Sequence, residues 1–238
     1  MSDTLTREFY EGLTKLGVQG HLADQFLLYR QELLDWNTRT NLTAITDPEE
    51  VLSKHFLDSL SLLLAYDQPG IHLLDIGSGA GFPGLPLKIA RPEWRVTLLE
   101  ATNKKVAFLR HMVEILQLEG VEVIHGRAEE VGRKSEYRAA FDVITARAVA
   151  SLPVLLEYCA PCCRINGRII LPKKGDLSTE LLQGKRAASQ VGAVFAADVL
   201  IELPGLADGR RLLVWKQQKL CPAQFPRSGA AIAKKPLG

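Results

Sequence analysis

Apolar residues in the first part of the chain recur at helical spacing. One predicted helix carries them at steps of four, three, four and three residues: Leu22, Phe26, Tyr29, Leu33 and Trp36. A second predicted helix carries another stripe: Leu52, Phe56, Leu60 and Leu63. Asp47 and Pro48 precede that stripe, where a capping carboxylate and a first-turn proline are favoured. Residues 1–68 are therefore predicted to form an all-helical cap.

From residue 69 the pattern changes to short apolar strands that alternate with helices. Five strands are predicted at residues 71–76, 96–99, 121–124, 141–145 and 167–171, with helices at 83–90, 106–116 and 153–162. This alternation is typical of a parallel, doubly wound sheet. Two last strands, 194–203 and 211–216, are joined by too few residues for a crossover helix, so they are predicted to be antiparallel.

The predicted fold class is therefore α/β, with a mostly parallel seven-stranded sheet, a C-terminal antiparallel hairpin and an N-terminal helical cap. A Rossmann-like sheet that ends in such a hairpin is typical of class I methyltransferases. The predicted organisation is a cap at 1–68, a cofactor-binding domain at 69–221 and a basic tail at 222–238, where the absence of periodicity predicts a loop.

Composition changes this picture mainly at the two ends of the chain. The 238 residues are 47% apolar with a net charge of +2, as expected of a globular protein with a sizeable core. Residues 1–60 carry five bases against ten acids, whereas residues 208–238 carry seven bases against one acid. The basic end fits either a polyanionic partner or a solvated tail. No apolar run is long enough to span a bilayer and no signal peptide is evident, so a cytoplasmic protein without membrane contact is expected, as a monomer by default.

A glycine-rich turn follows the first predicted strand. Residues 75–84 read Asp-Ile-Gly-Ser-Gly-Ala-Gly-Phe-Pro-Gly, at the carboxyl edge of the sheet where ligands of open α/β folds bind. Glu100 ends the second strand, where a carboxylate can accept hydrogen bonds from both ribose hydroxyls of an adenosine. Both features suit S-adenosylmethionine and NAD equally.

The acid before the glycines favours S-adenosylmethionine. Gly79, Gly81 and Gly84 match the dinucleotide spacing, but Asp75 would repel a pyrophosphate and attract an ammonium or sulfonium group. A dinucleotide enzyme and a glycine-rich turn without a ligand remain as alternatives. Cys159 and Cys162 have metal-ligand spacing without a second pair, so buried cysteines and no metal are expected.

Five segments in order along the chain point to one family. They are Asn-Leu-Thr-Ala-Ile at 41–45, His-Phe-Leu-Asp-Ser-Leu at 55–60, the glycine-rich turn at 75–84, Phe-Asp-Val-Ile-Thr-Ala-Arg-Ala-Val-Ala at 141–150, and a tail with Pro-Arg at 226–227 and Lys-Lys-Pro-Leu at 234–237. Together they resemble the bacterial ribosomal RNA small-subunit methyltransferase G family, also called glucose-inhibited division protein B, over residues 22–238.

The resemblance implies methyl transfer from S-adenosylmethionine to N7 of one guanosine in 16S ribosomal RNA, free or in the small ribosomal subunit. The predicted cofactor-binding residues, from the turn and the resemblance together, are Asp75, Gly77, Gly79, Phe82, Glu100, Ala101, Thr102, Ala128, Glu129 and Arg147. Arg147 is also the predicted catalytic residue, which would hold the target nucleotide, unless it forms only a surface ion pair. The predicted RNA-binding residues are His55, Lys173, Lys174, Arg227, Lys234 and Lys235.

Some readings stay open at the level of sequence. His55, Asp58 and Ser59 share one helix face, either as a polar wall of an RNA-facing cleft or as a buried cluster that docks the cap. The family pattern has a single lysine before glycine where this chain has Lys173-Lys174-Gly175, which leaves the RNA-contacting lysine open. The alternatives to the implied activity are a methyltransferase for a small molecule or protein, and a non-catalytic RNA-binding module that assists ribosome assembly.

Overall fold

The computed structural model describes residues 2–238, and its first quarter is helical as predicted. The α-helices are α1 (Ser2–Lys15), α2 (Ala23–Asn37), α3 (Pro48–Val51) and α4 (Asp58–Leu60). Asp47 caps α3, because its carboxylate accepts hydrogen bonds of 2.9 Å from the amides of Glu49 and Glu50. The predicted second helix is not a regular α-helix, because Leu52–Leu57 between α3 and α4 is π-helical. Such a stretch often marks a functional site.

The remainder of the chain forms one seven-stranded sheet with helices on both faces. The strands are β1 (His72–Ile76), β2 (Arg95–Glu100), β3 (Val121–His125), β4 (Phe141–Thr145), β5 (Cys163–Lys174), β6 (Ala193–Leu200) and β7 (Arg210–Gln217). The helices are α5 (Gly84–Ala90), α6 (Asn103–Ile115), α7 (Ala128–Val131), α8 (Leu152–Cys159), α9 (Ser178–Gln190) and α10 (Gly229–Lys234). The strand order is β3-β2-β1-β4-β5-β7-β6.

The predicted hairpin is confirmed, and its direction has a consequence for the site. The first five strands pair in parallel, whereas β7 is antiparallel to both β5 and β6. An antiparallel strand begins where its parallel neighbours end. Arg210, the first residue of β7, therefore lies opposite Lys174, the last residue of β5, at the carboxyl edge of the sheet.

The cap and the sheet share one hydrophobic core. Buried aromatic side chains of the cap, Phe9, Phe26 and Phe56, belong to the same cluster as Leu73 of β1 and Leu98 of β2. A second cluster on the opposite face packs α8 and α9 against the sheet. In residues 2–238 no helix has both the length and the apolar composition needed to cross a membrane.

The C-terminal segment is ordered against the domain, and the prediction of a loop throughout residues 222–238 is wrong. Phe225, Ile232 and Leu237 are buried, and α10 occupies the middle of the segment. Arg138 donates hydrogen bonds to the carbonyl oxygens of Cys221 (3.0 Å) and Phe225 (2.7 Å). These three buried apolar side chains hold the segment in place. Their spacing is too irregular to produce a periodic pattern in the sequence.

Candidate functional site

The glycine-rich turn lies at the carboxyl end of β1, as predicted. The amides of Gly77 and Ser78 donate to the carbonyl oxygen of Leu99 in β2, at 2.8 and 3.1 Å, which ties the turn to the neighbouring strand. Gly77 has a φ of +73°. A Cβ at this position would lie 2.6 Å from Cγ2 of Val149, so only glycine allows the loop after β4 to approach the turn.

Asp75 is completely buried at the start of the turn. Its Oδ2 accepts a hydrogen bond of 2.9 Å from the amide of Gly84. Its Oδ1 has no hydrogen-bond partner among the described residues. Burial raises the pKa of Asp75 to about 7, against the lowering effects of the Gly84 amide and of Arg147. A buried carboxylate with a free oxygen is stabilised by a cation bound nearby.

The Glu100 carboxylate bridges the glycine-rich turn and the residues that follow β2. Its Oε2 accepts from the amide of Gly79 at 2.9 Å, and its Oε1 accepts from the amide of Thr102 at 2.8 Å. The partners that this buried acid requires are therefore backbone amides. Each carboxylate oxygen retains a further lone pair, so the two oxygens can also accept hydrogen bonds from the two hydroxyls of a diol.

A cavity of about 160 Å³ lies beside these residues. Its lining residues come from the ends of β1, β2 and β3 and from the loop after β4: Ile76, Gly77, Leu99, Ala101, Gly126, Arg127, Ala128, Glu129, Val149 and Tyr158. Four predicted cofactor residues, Gly77, Ala101, Ala128 and Glu129, are among them. Asp75, Gly79, Glu100 and Thr102 are not among its lining residues, although residues one or two positions from each in the chain are. A cavity for a flat ring, the Glu100 carboxylate for a sugar and the buried Asp75 carboxylate for a cation together fit an adenosyl sulfonium.

Phe82 lies elsewhere, because its ring packs into the cap and does not line this cavity. It stacks between Tyr29, at a centroid distance of 5.5 Å, and His55, at 4.5 Å. The hydroxyl of Tyr29 donates to the carbonyl oxygen of Ala80 in the turn. A Cβ on Gly81 (φ +94°) would overlap that hydroxyl, so the cap rests directly on the glycine-rich turn.

Arg147 connects the loop after β4 to the cap. Its Nη1 lies 2.7 Å from Oδ2 of the buried Asp58, and its Nη2 lies 3.1 Å from Nδ1 of His55. The guanidinium also lies over the ring of Phe82, 5.1 Å from its centroid. The ion pair therefore joins a loop to the cap across the site and is not merely a surface pair, and His55, Asp58 and Ser59 are mostly buried in this contact.

The tautomer of His55 follows from its two partners. A guanidinium can only donate, so Nδ1 of His55 accepts from Arg147, and Nε2 carries the proton, which points to Oγ1 of Thr43 at 2.7 Å. Burial and the nearby Arg147 lower the pKa of His55 to about 3. This imidazole is therefore neutral at physiological pH, and the lone pair on its Nδ1 atom accepts the hydrogen bond from Arg147.

A second cavity, of about 310 Å³, lies on the other side of the loop after β4. Its lining residues are Asp58, Arg147, Ala148, Ala150, Leu155, Pro172, Lys173, Lys174, Ile201 and Arg210. Lys173 is mostly buried and donates to Glu180 at 2.7 Å and to the carbonyl oxygen of Ala150 at 3.1 Å. Lys174 is exposed and pairs with Asp208 at 2.8 Å. The two lysines thus differ, since Lys173 supports the loop and Lys174 faces solvent.

The tail places its predicted RNA-binding residues apart from both cavities. Arg227 forms a two-point ion pair with the fully buried Glu157, with hydrogen bonds of 2.8 and 2.6 Å. The guanidinium of Arg227 therefore anchors the tail to α8. Lys234 and Lys235 are exposed, and neither forms an ion pair within residues 2–238.

The four cysteines lie in the interior of the described chain. Cys159, Cys162, Cys163 and Cys221 are free and buried. Burial raises the pKa of Cys162, Cys163 and Cys221 to about 12, so these thiols stay protonated and unreactive.

Three residues of the site were missed from sequence. Tyr29 was identified only as part of a helical stripe and Val149 only as part of the segment at 141–150, and nothing in their local pattern distinguishes them. Arg210 offered a usable signal, because the first residue of an antiparallel strand must lie at the carboxyl edge of its parallel neighbour.

Comparison with known proteins shows similarity to one family. A family model described as rRNA small subunit methyltransferase G matches residues 22–200. A protein of Roseiflexus sp. (strain RS-1) named ribosomal RNA small subunit methyltransferase G is 47% identical over 214 residues, covering 90% of this chain and 91% of that protein. A protein of the same name from Chloroflexus aggregans is 43% identical over 239 residues, covering 100% of both chains.

Solved structures of low identity share the fold. A predicted O-methyltransferase from Agrobacterium tumefaciens superposes with a TM-score of 0.54 at 18% identity, covering 68% of this chain and 81% of that one. TYW2 from M. jannaschii, in complex with AdoMet, gives a TM-score of 0.51 at 15% identity, covering 66% and 72%. These likenesses support the class I methyltransferase architecture that the strand order displays.

Proposed function

This chain belongs to the rRNA small subunit methyltransferase G family, and on that premise we propose that it transfers a methyl group from S-adenosylmethionine to N7 of one guanosine in 16S ribosomal RNA. Methyl transfer from S-adenosylmethionine is the activity of the family, and the site residues fit that cofactor. The position of the methyl group, the substrate particle and the role of each residue are the proposal. We propose accordingly that the protein acts in the cytoplasm, on ribosomal RNA.

One observation carries the proposal: a single loop lines both cavities. Val149 forms a wall of the cavity beside the glycine-rich turn, while Arg147, Ala148 and Ala150 line the cationic cavity on the other side. A cofactor in the first cavity and a nucleotide in the second would meet across this loop. The four basic residues of the second cavity favour a substrate that carries phosphate.

In the proposed complex, one acid of the turn and one at the end of β2 hold the cofactor. Glu100 would accept the ribose hydroxyls, and Asp75 would stabilise the positive charge. Ala101 and Thr102 follow at the ribose, and Ala128 and Glu129 at the adenine. Bound S-adenosylmethionine supplies an electrophilic methyl group.

The reaction requires alignment and no general base. Guanine N7 carries an in-plane lone pair and no proton, so nothing needs to remove a proton before attack. Orientation of two bound reactants accounts for several kcal/mol of the barrier in such reactions. Arg147, which Asp58 and His55 hold in one orientation, would contact the target nucleotide through its phosphate or guanine edge.

The neutral state of His55 suits this chemistry. An imidazole with a pKa of about 3, whose acceptor nitrogen is engaged by Arg147, cannot serve as a base. It acts instead by orienting the guanidinium. The described site contains no other histidine that contacts Arg147.

Nucleoside mass spectrometry tests the proposal. Small ribosomal subunits from cells that lack this methyl group are incubated with the protein and tritiated S-adenosylmethionine, and the 16S RNA is then digested. We expect one tritiated 7-methylguanosine per subunit, and none with an Arg147→Ala variant that retains its fold. Label in protein or in another nucleoside, or no label at all, would contradict the proposed substrate.

A further inference from the structure

Arg210 shares a carboxylate with Arg147. The Nη1 atom of Arg210 lies 2.7 Å from Oδ1 of Asp58, while Nη1 of Arg147 lies 2.7 Å from Oδ2 of the same side chain. Asp58 is buried at the end of the π-helical stretch of the cap. One aspartate of the cap therefore fixes two guanidinium groups, one from the loop after β4 and one from the start of β7.

Both arginines keep donors free. The Nε atom of Arg210 donates to Asp208 at 3.0 Å, and its Nη2 atom forms no hydrogen bond within the described part of the chain. The Nε atom of Arg147 is likewise without a hydrogen bond in residues 2–238. Both side chains line the cationic cavity, so these donors are available to a molecule that enters it.

The charge of the cavity is positive after all ion pairs are counted. Four cations line it, Arg147, Lys173, Lys174 and Arg210. Three carboxylates pair with them, those of Asp58, Glu180 and Asp208. One positive charge therefore remains. It is shared among Arg147, Arg210 and Lys174, because Asp58 pairs with both arginines and Asp208 pairs with Arg210 as well as with Lys174. Rigid guanidinium pairs bind tetrahedral oxyanions such as phosphate better than lysines do, because their donors are already oriented.

We propose that Arg210 and Arg147, bridged by Asp58, form a phosphate-binding pair that holds a backbone phosphate next to the target guanosine. The inference rests on the proposed function, which supplies an RNA substrate. It assigns Arg210 to substrate binding and makes Asp58 a positioning residue. The cap then positions the substrate-binding arginines through one carboxylate, although the basic side chains themselves come from the sheet and from the loop after β4.

Steady-state kinetics with Arg210→Gln tests the pair. Glutamine keeps much of the side-chain length but removes the charge and the fork. We expect the KM for small ribosomal subunits to rise about tenfold, the loss of a charged hydrogen bond, with kcat and the Kd for S-adenosylmethionine within twofold of wild type. Direct binding of 16S RNA should show a plot of log Kd against log salt whose slope is smaller by about 0.7 to 0.9, the loss of one phosphate contact.

Arg211→Gln is the matched control. Arg211 follows Arg210 on β7, but it pairs with Asp198 of β6 at 2.6 Å and lies outside the cavity. The Arg211→Gln substitution removes one positive charge from the same strand and should leave the KM and the salt slope unchanged. Arg210→Lys should restore the salt slope, because the positive charge returns. It should reverse only part of the rise in KM, because lysine lacks the planar guanidinium group.

Two results would overturn the inference. One is an Arg210→Gln variant with the same KM and slope as Arg211→Gln. The other is a joint loss of kcat and cofactor affinity, which would indicate damage to the fold. Failure of the proposed function appears differently, as wild-type protein that transfers no methyl group to the subunits, while the salt slopes still report whether Arg210 contacts phosphate.

Discussion

At the scale of single residues, the burial of Asp75 predicts that cofactor binding depends on pH. Burial raises its pKa to about 7, and a cation bound nearby favours the charged carboxylate and lowers that pKa. Binding below pH 7 therefore releases a proton. We expect the affinity for S-adenosylmethionine to rise with pH by at most about tenfold per unit up to about pH 7, and then to level off. Calorimetry between about pH 5.5 and 7.5 measures this, a range in which the ammonium of the ligand stays largely protonated.

Asp75→Asn is the control for this linkage. An asparagine cannot titrate, so its affinity should be lower at high pH and flat across the range. S-adenosylhomocysteine keeps the ammonium but lacks the sulfonium. The pH dependence of its affinity therefore shows which of the two cations interacts with Asp75. A wild-type slope that persists in Asp75→Asn would assign the proton to another group.

Glu100 offers a second prediction at this scale. Glu100→Gln replaces one carboxylate oxygen by an amide that donates, so either Gly79 or Thr102 loses its acceptor, and the ribose loses a charged partner. The expected loss is about 2–3 kcal/mol, or about a hundredfold in cofactor affinity by calorimetry. Glu114→Gln, at an exposed position on α6, should bind like wild type. Equal affinity in the two variants would remove Glu100 from the cofactor site.

At the scale of elements, the C-terminal segment packs beside the end of the cavity that Glu129 lines, where we propose that the adenine binds. The ion pair of Arg227 with Glu157 and the bond from Nε of Arg133 to the carbonyl oxygen of Pro226 (2.9 Å) fix this segment beside α7. A Cβ on Gly229, at the start of α10, would overlap Oε1 of Glu129. The segment therefore leaves just enough space for a carboxylate that borders the cofactor cavity.

Gly229→Ala should weaken cofactor binding without harming the fold. Alanine favours a helix over glycine by up to about 1 kcal/mol, and the overlapping atom ends a flexible side chain, so Glu129 moves and the backbone does not. We expect about tenfold weaker binding of S-adenosylmethionine, with an unchanged or slightly higher melting temperature. Gly20→Ala, where a Cβ meets nothing within 4 Å, is the matched control. Unaltered affinity in Gly229→Ala would mean that Glu129 does not contact the cofactor.

The elements that sequence predicted best are those with a strong local period. All seven strands were predicted in their places, because each is a short stretch rich in apolar or β-branched residues between turns. β5 begins at Cys163 rather than near residue 167, because its first residues pair with the edge of β4 ahead of the apolar run. Helix α9 was not predicted, since its buried face consists of small residues, Gly184, Ala187 and Ala188, which give little hydrophobic signal.

The site divides in the same way. The positions of the turn at Gly77 and of the acid Glu100 were predictable, because each lies directly after or at a strand end that the sequence marks. The shared use of Asp58 by two arginines was not predictable, because it brings together residues that are remote in sequence, from the cap, the loop after β4 and the hairpin. Tertiary contacts of this kind leave no local pattern.

At the scale of the whole molecule, the cap and the sheet form a single packing unit. Phe56 is completely buried and contacts Phe26 and Tyr29 within the cap and Phe82 of the glycine-rich turn, at ring-centroid distances of 5.5, 5.1 and 5.8 Å. The same ring thus belongs to the interior of the cap and to the base of the glycine-rich turn. Removal of the Phe56 ring should therefore destabilise both the cap and the turn.

Phe56→Ala is therefore expected to destabilise the entire protein cooperatively. A buried phenylalanine replaced by alanine costs about 3–5 kcal/mol, which corresponds to a fall in melting temperature of roughly 10 °C for a chain of this size. Hydrogen exchange followed by mass spectrometry should show peptides from α2 and from β5 losing protection by the same factor, since both open only when the shared core opens. Leu182→Ala, at a side chain that is 63% exposed on α9, should leave both peptides unchanged. If only the α2 peptide exchanges faster in Phe56→Ala, the cap opens independently of the sheet, and the cap would then be a separate unit that docks on a stable domain.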